Sequence, residues 1–182
     1  MLLLIERVFQ CPPRICNHLF IARYETGSGG EYYLKECVPL DLPDAECPPE
    51  ILEMSKDFYS IYDQAWKAEQ RGLPLVAGPG YRKALEFLIK DYACKLHPAD
   101  EEKTRIRKAD LGPCIQEFMK NDMVRETARR AAWLGNDETH YLRKWEGKDL
   151  QDLKQLLALT VTTIRGELLY ENMKKDMPRG KK

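Results

Sequence analysis

The chain has no excess of charge of either sign: 29 Lys and Arg residues are matched by 29 Asp and Glu. A net charge of zero gives no global attraction to nucleic acid or to a membrane surface, and leaves such work to local patches. Long apolar runs are also missing. None approaches the roughly 18 residues that cross a bilayer, so no membrane association is expected. Residues 1–5 (MLLLI) are apolar, but Glu6 and Arg7 follow at once. A secretory core takes about 7–15 apolar residues. A cytoplasmic location is therefore expected, and with it cysteines that are thiols or metal ligands rather than disulfides. Histidine is scarce, with three in 182 residues. What is present, a 43% hydrophobic fraction, suits a globular chain with one core and a small appendage.

The first 49 residues differ from the rest, holding six of the eleven prolines and four of the six cysteines. Residues 2–10, 19–24 and 31–35 have strand character. The turn-rich segment 26–30 (TGSGG) joins the last two into an expected hairpin. Prolines 39, 43, 48 and 49 then read as a linker. From position 49 the apolar period becomes helical. Ile51, Met54, Phe58, Ile61, Ala65 and Ala68 form one stripe, ended by Gly72. Residues 72–80 read as a connection, and a second helix is expected over 81–96. The densely charged stretch 99–110 reads as a solvated loop or a short exposed helix. A short helix carries Ile115, Phe118 and Met119. Asn121 and Asp122 suit the cap of the next helix, which is expected to break at Gly135. A long helix over about 148–174 has the seam Leu150, Leu153, Leu157, Thr160 or Val161, Ile164 and Leu168, and residues 176–182 are a frayed basic tail. The fold expected is mainly α: an antiparallel bundle of four to five helices over 50–175, preceded by a small β ribbon over 1–49.

Cys11, Cys16, Cys37 and Cys47 surround the hairpin. Zinc wants about four such ligands at tetrahedral corners, and a short segment with little core gains from a metal staple. The pair Cys11 and Cys16 sits at the wide edge of knuckle spacing, whereas Cys37 and Cys47 are too far apart for one. Two readings stand, a structural zinc or unlinked thiols. Cys94 and Cys114 lie in helical patterns and read as small core residues.

The segment 133–140 (WLGNDETH) gathers several hydrogen-bonding groups and ends in His140. Imidazole is the usual proton-transfer group. Arg82 and Glu86, four apart on the second helix, share a face. Arg82 suits a phosphate or its neighbour Glu86, and Glu86 suits the orientation of His140 if the helices meet. A plain intrahelical ion pair is the competing reading.

The sequence Gly80-Tyr81-Arg82-Lys83-Ala84-Leu85-Glu86, followed some fifty residues later by Trp133-Leu134-Gly135-Asn136-Asp137-Glu138-Thr139-His140, resembles the bacterial family called domain of unknown function 4145. That family is similar to the HEPN superfamily of helical bundles, which includes ribonucleases and defence or toxin proteins. The resemblance covers roughly residues 50–175, and the start of the chain is similar to the zinc-ribbon-like segment that often precedes that domain. In active HEPN ribonucleases an arginine shortly precedes the histidine. The matching positions here are Trp133, Leu134 and Gly135, while Asn136 and His140 fit. Losing that cation removes several kcal/mol of transition-state stabilisation.

The resemblance therefore implies a binding or assembly module, in a restriction or toxin context, without full nuclease activity. It also implies a homodimer with the two His140 turns near the interface. The alternative is a metal-independent endoribonuclease with His140 as acid or base, Arg82 as the phosphate-holding cation, and Asn136 and Glu86 as orienting groups. A third reading is nucleic-acid binding through the amino-terminal ribbon, aided by Arg14, Arg23, Tyr24, Tyr32 and Tyr33. A protein partner fits the first reading, an RNA partner the other two.

Overall fold

The computed structural model describes residues 4–12, 18–38 and 42–177. The chain divides into two compact units, Met1–Pro43 and Asp44–Lys182.

In the first unit, β1 (Leu4–Gln10), β2 (Leu19–Thr26) and β3 (Tyr32–Val38) form one antiparallel sheet in that order. The expected hairpin is present between β2 and β3. Gly27 N–H donates to the Glu31 carbonyl at 2.8 Å, and Gly30 takes the positive φ of +80° that the turn requires. Strand alternation puts Phe9 and Phe20 on one face, stacked at 5.4 Å. On the other face Arg23 spans all three strands, with Nε 2.7 Å from Glu6 and Nη1 2.7 Å from Glu36.

The second unit is helical. Its elements are α1 (Pro49–Met54), α2 (Lys56–Gln70), α3 (Pro74–Leu96), α4 (Asp100–Lys108), α5 (Leu111–Phe118), α6 (Asp122–Asp137) and α7 (Leu150–Asp176). Seven helices among the described residues exceed the four or five expected, for two local reasons. The stripe from Ile51 to Ala68 is cut at Ser55, whose hydroxyl accepts Phe58 N–H at 3.3 Å and donates to Asp91 on α3. A serine that bonds locally competes with helix continuation. The charged stretch 99–110 is α4. It starts with Asp100, Glu101 and Glu102, ends with Arg105, Arg107 and Lys108, and buries only Ile106. Acids first and bases last follow the helix dipole.

The centre is α3, which packs on α2, α4, α5, α6 and α7 and buries Tyr81, Leu85, Leu88 and Tyr92. It begins at Pro74, not at 81. Proline suits a first turn, and two of the glycines that read as a loop, Gly78 and Gly80, are instead close approaches. A Cβ on Gly80 would lie 2.8 Å from the Ala65 Cβ of α2. Asn121 caps α6 as expected, its Oδ1 accepting from Met123 and Val124 at 2.8 and 3.2 Å. The helix does not break at Gly135, however, but runs on to Asp137. The inner seam of α7 comprises Leu153, Leu157, Thr160, Ile164 and Leu168. Glu69 of α2 accepts from the Tyr81 hydroxyl (2.7 Å), Gln151 Nε2 (2.9 Å) and Lys154 Nζ (2.8 Å), so one carboxylate joins α2, α3 and α7. Burial raises its pKa, and Lys154, Tyr81 and Gln151 outweigh that and hold it below the usual glutamate range.

The proline-rich stretch is not all linker. Ala45 is buried, its N–H 2.9 Å from Asp63 Oδ1, and Asp44 pairs with Lys67 at 2.7 Å, so this segment is strapped onto α2. No helix among the described residues is long and apolar enough to cross a membrane.

Candidate functional site

Helix α3 and the carboxyl end of α6 meet as the paired motifs suggested. Arg82 Nε donates to Asn136 Oδ1 at 3.0 Å across 54 residues of sequence. The contact is close because two glycines make room. A Cβ at position 135 would sit 2.5 Å from Arg82 Cδ, and one at position 78 would sit 2.7 Å from Glu138 Oε2. Gly135 is thus a groove for the Arg82 stem rather than a helix stop.

Three of the four candidate catalytic residues form a chain of contacts. Arg82 Nη1 lies 3.4 Å from Glu86 Oε2, and Lys90 Nζ lies 2.7 Å from Glu86 Oε1. Burial pushes the Glu86 carboxyl up, but Lys90 and Arg82 together hold it below the ordinary range. Both of its oxygens therefore face cations of its own helix. The fourth residue, His140, hangs from the same asparagine by its backbone: its N–H and the Thr139 hydroxyl donate to the Asn136 carbonyl at 3.0 and 2.8 Å. The imidazole is exposed, and among the described residues no side chain hydrogen-bonds to it. Glu86 does not orient it.

Asp137 matters more than the sequence suggested. It is buried, and its Oδ2 accepts the N–H groups of Lys144 and Trp145 at 2.9 and 2.7 Å. That clasp folds the segment 138–149 back on α6 and delivers Trp145 to Trp133, with ring centroids 5.6 Å apart and planes 12° from parallel. The Arg129 guanidinium covers Trp133 at 5.1 Å. The two tryptophans wall two cavities. One, of about 480 Å³, is lined by Asn136, Asp137, His140, Tyr141 and Lys144. The other, of about 330 Å³, is mostly apolar and lies against Leu134, Leu156 and Leu159 of α6 and α7. Tyr141 is fully exposed and Leu142 nearly so. A bond from Asp137 to amides seven and eight residues on has no signature in spacing, and Trp145 stands in a stretch without period.

The four cysteines divide. Cys11 and Cys37 belong to the sheet unit, and Cys16 lies outside the described residues. Cys47 is in the helical unit, half-buried, its thiol 3.7 Å from the Pro48 carbonyl and its pKa raised by burial. Among the described residues no three His, Cys, Asp or Glu side chains gather as a metal cluster. Arg23, a candidate phosphate contact, is occupied by Glu6 and Glu36, and the Tyr33 hydroxyl donates to Glu31. Arg14 lies outside the described residues.

The chain matches no family model, no curated protein and no solved structure.

Proposed function

We propose that the helical unit is a HEPN-like binding and assembly module that does not cleave RNA, of the kind found in bacterial defence systems. The observation that carries this reading is the engagement of Arg82. Its guanidinium is held by Asn136 and Glu86, and its stem lies in the groove left by Gly135. A cation that must stabilise a phosphorane has to aim its donors at the substrate. Here two of those donors face protein oxygens. The surface beside it, with Trp133, Tyr141, Leu142 and Trp145 exposed, has the aromatic and apolar character of a recognition surface.

The test is a cleavage assay on mixed RNA in the presence of chelator, comparing wild type with His140→Ala. Equal background from both is the expected result. Cleavage by wild type that His140→Ala abolishes would establish the second reading, a metal-independent endoribonuclease. One observation favours that second reading: Arg82 bonds the Asn136 side chain while the His140 N–H bonds the carbonyl of the same asparagine, so all three belong to a single contact chain.

A further inference from the structure

The balanced total charge hides a local excess. Lys95 in the last turn of α3, Lys120 just past α5 and Lys175 in the last turn of α7 line one cavity of about 650 Å³. None of the three makes a hydrogen bond or ion pair among the described residues. The carboxylates on the same wall are taken. Glu171 pairs with Lys174 at 2.8 Å, and Glu167 accepts from the Tyr92 hydroxyl at one oxygen and from Asn121 at the other. A helix carboxyl end attracts cations with about half a unit charge, so three such ends offset only part of three full charges. The end of α5 needs no lysine at all. Its Phe118 carbonyl accepts from His97 Nε2 at 3.2 Å, and the Met119 carbonyl accepts from Arg125 Nη1 at 3.3 Å. Gathering like charges destabilises a fold. A cluster kept against that repulsion, with no partner of its own, is the mark of a binding site.

We infer that this cavity binds a small molecule bearing two or more phosphate groups, which Lys95, Lys120 and Lys175 meet from three separate elements. Lysine holds phosphate as a point charge, without demanding one orientation. The volume of about 650 Å³ falls in the range of small-molecule sites. Leu96, Leu168 and Tyr170 supply an apolar floor, which suits a carbon skeleton between the phosphates. No Asn, Gln, Ser or Thr lines the cavity to read the edge of a base, so the phosphates carry the recognition. A neighbouring cavity of about 380 Å³ shares Lys95 and Lys175 but is walled by Glu50, Glu53 and Asp91. Those carboxylates repel an anion and confine it to the larger cavity. Lys95 stands thirteen residues beyond Arg82 on α3, about 20 Å along the helix. The site is therefore separate from the contact of Arg82 with Asn136, and does not rest on the function proposed for it.

The experiment is calorimetric titration of the full chain with tripolyphosphate, which presents linked phosphates alone. It is run in about 0.1 M salt, where exposed charges more than about 10 Å apart are screened. One site should appear, and orthophosphate should bind at least about tenfold more weakly. Lys120→Gln should weaken tripolyphosphate binding about tenfold or more. It should also melt no lower than wild type, because it relieves repulsion and breaks no bond. Lys175→Gln should act in the same way, and it decides the matter if Lys120→Gln fails to fold. Lys120→Arg should keep the binding. Lys83→Gln, at an exposed residue of α3 outside the cavity, should bind like wild type. Three results overturn the proposal: no binding at about 1 mM tripolyphosphate, equal binding by Lys120→Gln, or orthophosphate bound as tightly as tripolyphosphate. An RNA oligonucleotide that binds through these lysines when tripolyphosphate does not also overturns it, and assigns the cluster to nucleic acid.

Discussion

The Arg82 side chain occupies the space that a β-carbon on residue 135 would need. The two residues are therefore fitted to one another, and the fit holds α3 and α6 at the spacing that lets Arg82 reach Asn136. Gly135→Ala should destabilise the helical unit by about 1–3 kcal/mol, despite the better helix propensity of alanine, because the arginine stem must move. The check is a double-mutant cycle by urea unfolding. Adding Arg82→Ala removes the Cγ and Cδ contacts but keeps a β-carbon 2.8 Å from the added one, so it should recover part of the loss, and independent effects would show that the two residues do not compete for space.

Asp137 accepts two backbone amides with one oxygen. Asp137→Ala should leave both unpaired and cost about 1–3 kcal/mol. Its local effect is the more telling one. Segment 138–149 should open to limited proteolysis, and Trp145 should leave Trp133, changing the tryptophan emission. Unaltered emission and proteolysis would mean that other contacts suffice to hold the segment.

Glu167 lies against Tyr92, whose hydroxyl donates to it, and against Asn121 Nδ2 at 2.5 Å. Burial, with Glu171 adding to it, raises its pKa above the ordinary 4.5. The folded state therefore holds this proton more tightly than the unfolded state. The stability this adds is fully present below pH 4.5 and is lost as pH rises through the raised value. Glu167→Gln, which keeps the shape and cannot ionise, should flatten that part of the profile. Urea midpoints from about pH 4 to about pH 7 measure it. An unchanged slope would assign the pH dependence to other groups.

Glu86→Gln should act with the opposite sign. Lys90 and Arg82 hold that carboxyl below its usual range against the opposing effect of burial. Its stabilising contribution is present above the unfolded value and is lost as pH falls. The substitution should therefore lower the midpoint at neutral pH and matter least in acid.

Where a residue had one job, the sequence was a fair guide. The spacing by fours and a three of Leu153, Leu157, Thr160, Ile164 and Leu168 marks a buried helical face, and that is the face found. The turn at 26–30 and the cap at Asn121 were legible for the same reason, as each acts on atoms two to four residues away. Glycine was the source of error. Gly78, Gly80 and Gly135 look like punctuation, yet each sits in a helix and leaves room for a side chain from another element. Composition cannot separate a glycine that ends a helix from one that admits a neighbour. Ser55 misled similarly, since its break depends on Asp91 of α3. At the site, the meeting of Arg82 with Asn136 was foreseeable from the paired motifs. The Asp137 clasp and the tryptophan wall were not, because both join residues through a segment with no repeating pattern.

The three-way bond at Glu69 bears on the order in which the molecule is made. Its lysine partner lies 85 positions downstream. While the chain is being synthesised, α2 and α3 are complete long before Lys154 emerges, and in that interval Glu69 has no lysine from α7. Docking of α7 supplies the missing cation and covers the inner faces of its neighbours in one step. Of the described helices α7 is the last in chain order, and its docking completes the bond at Glu69.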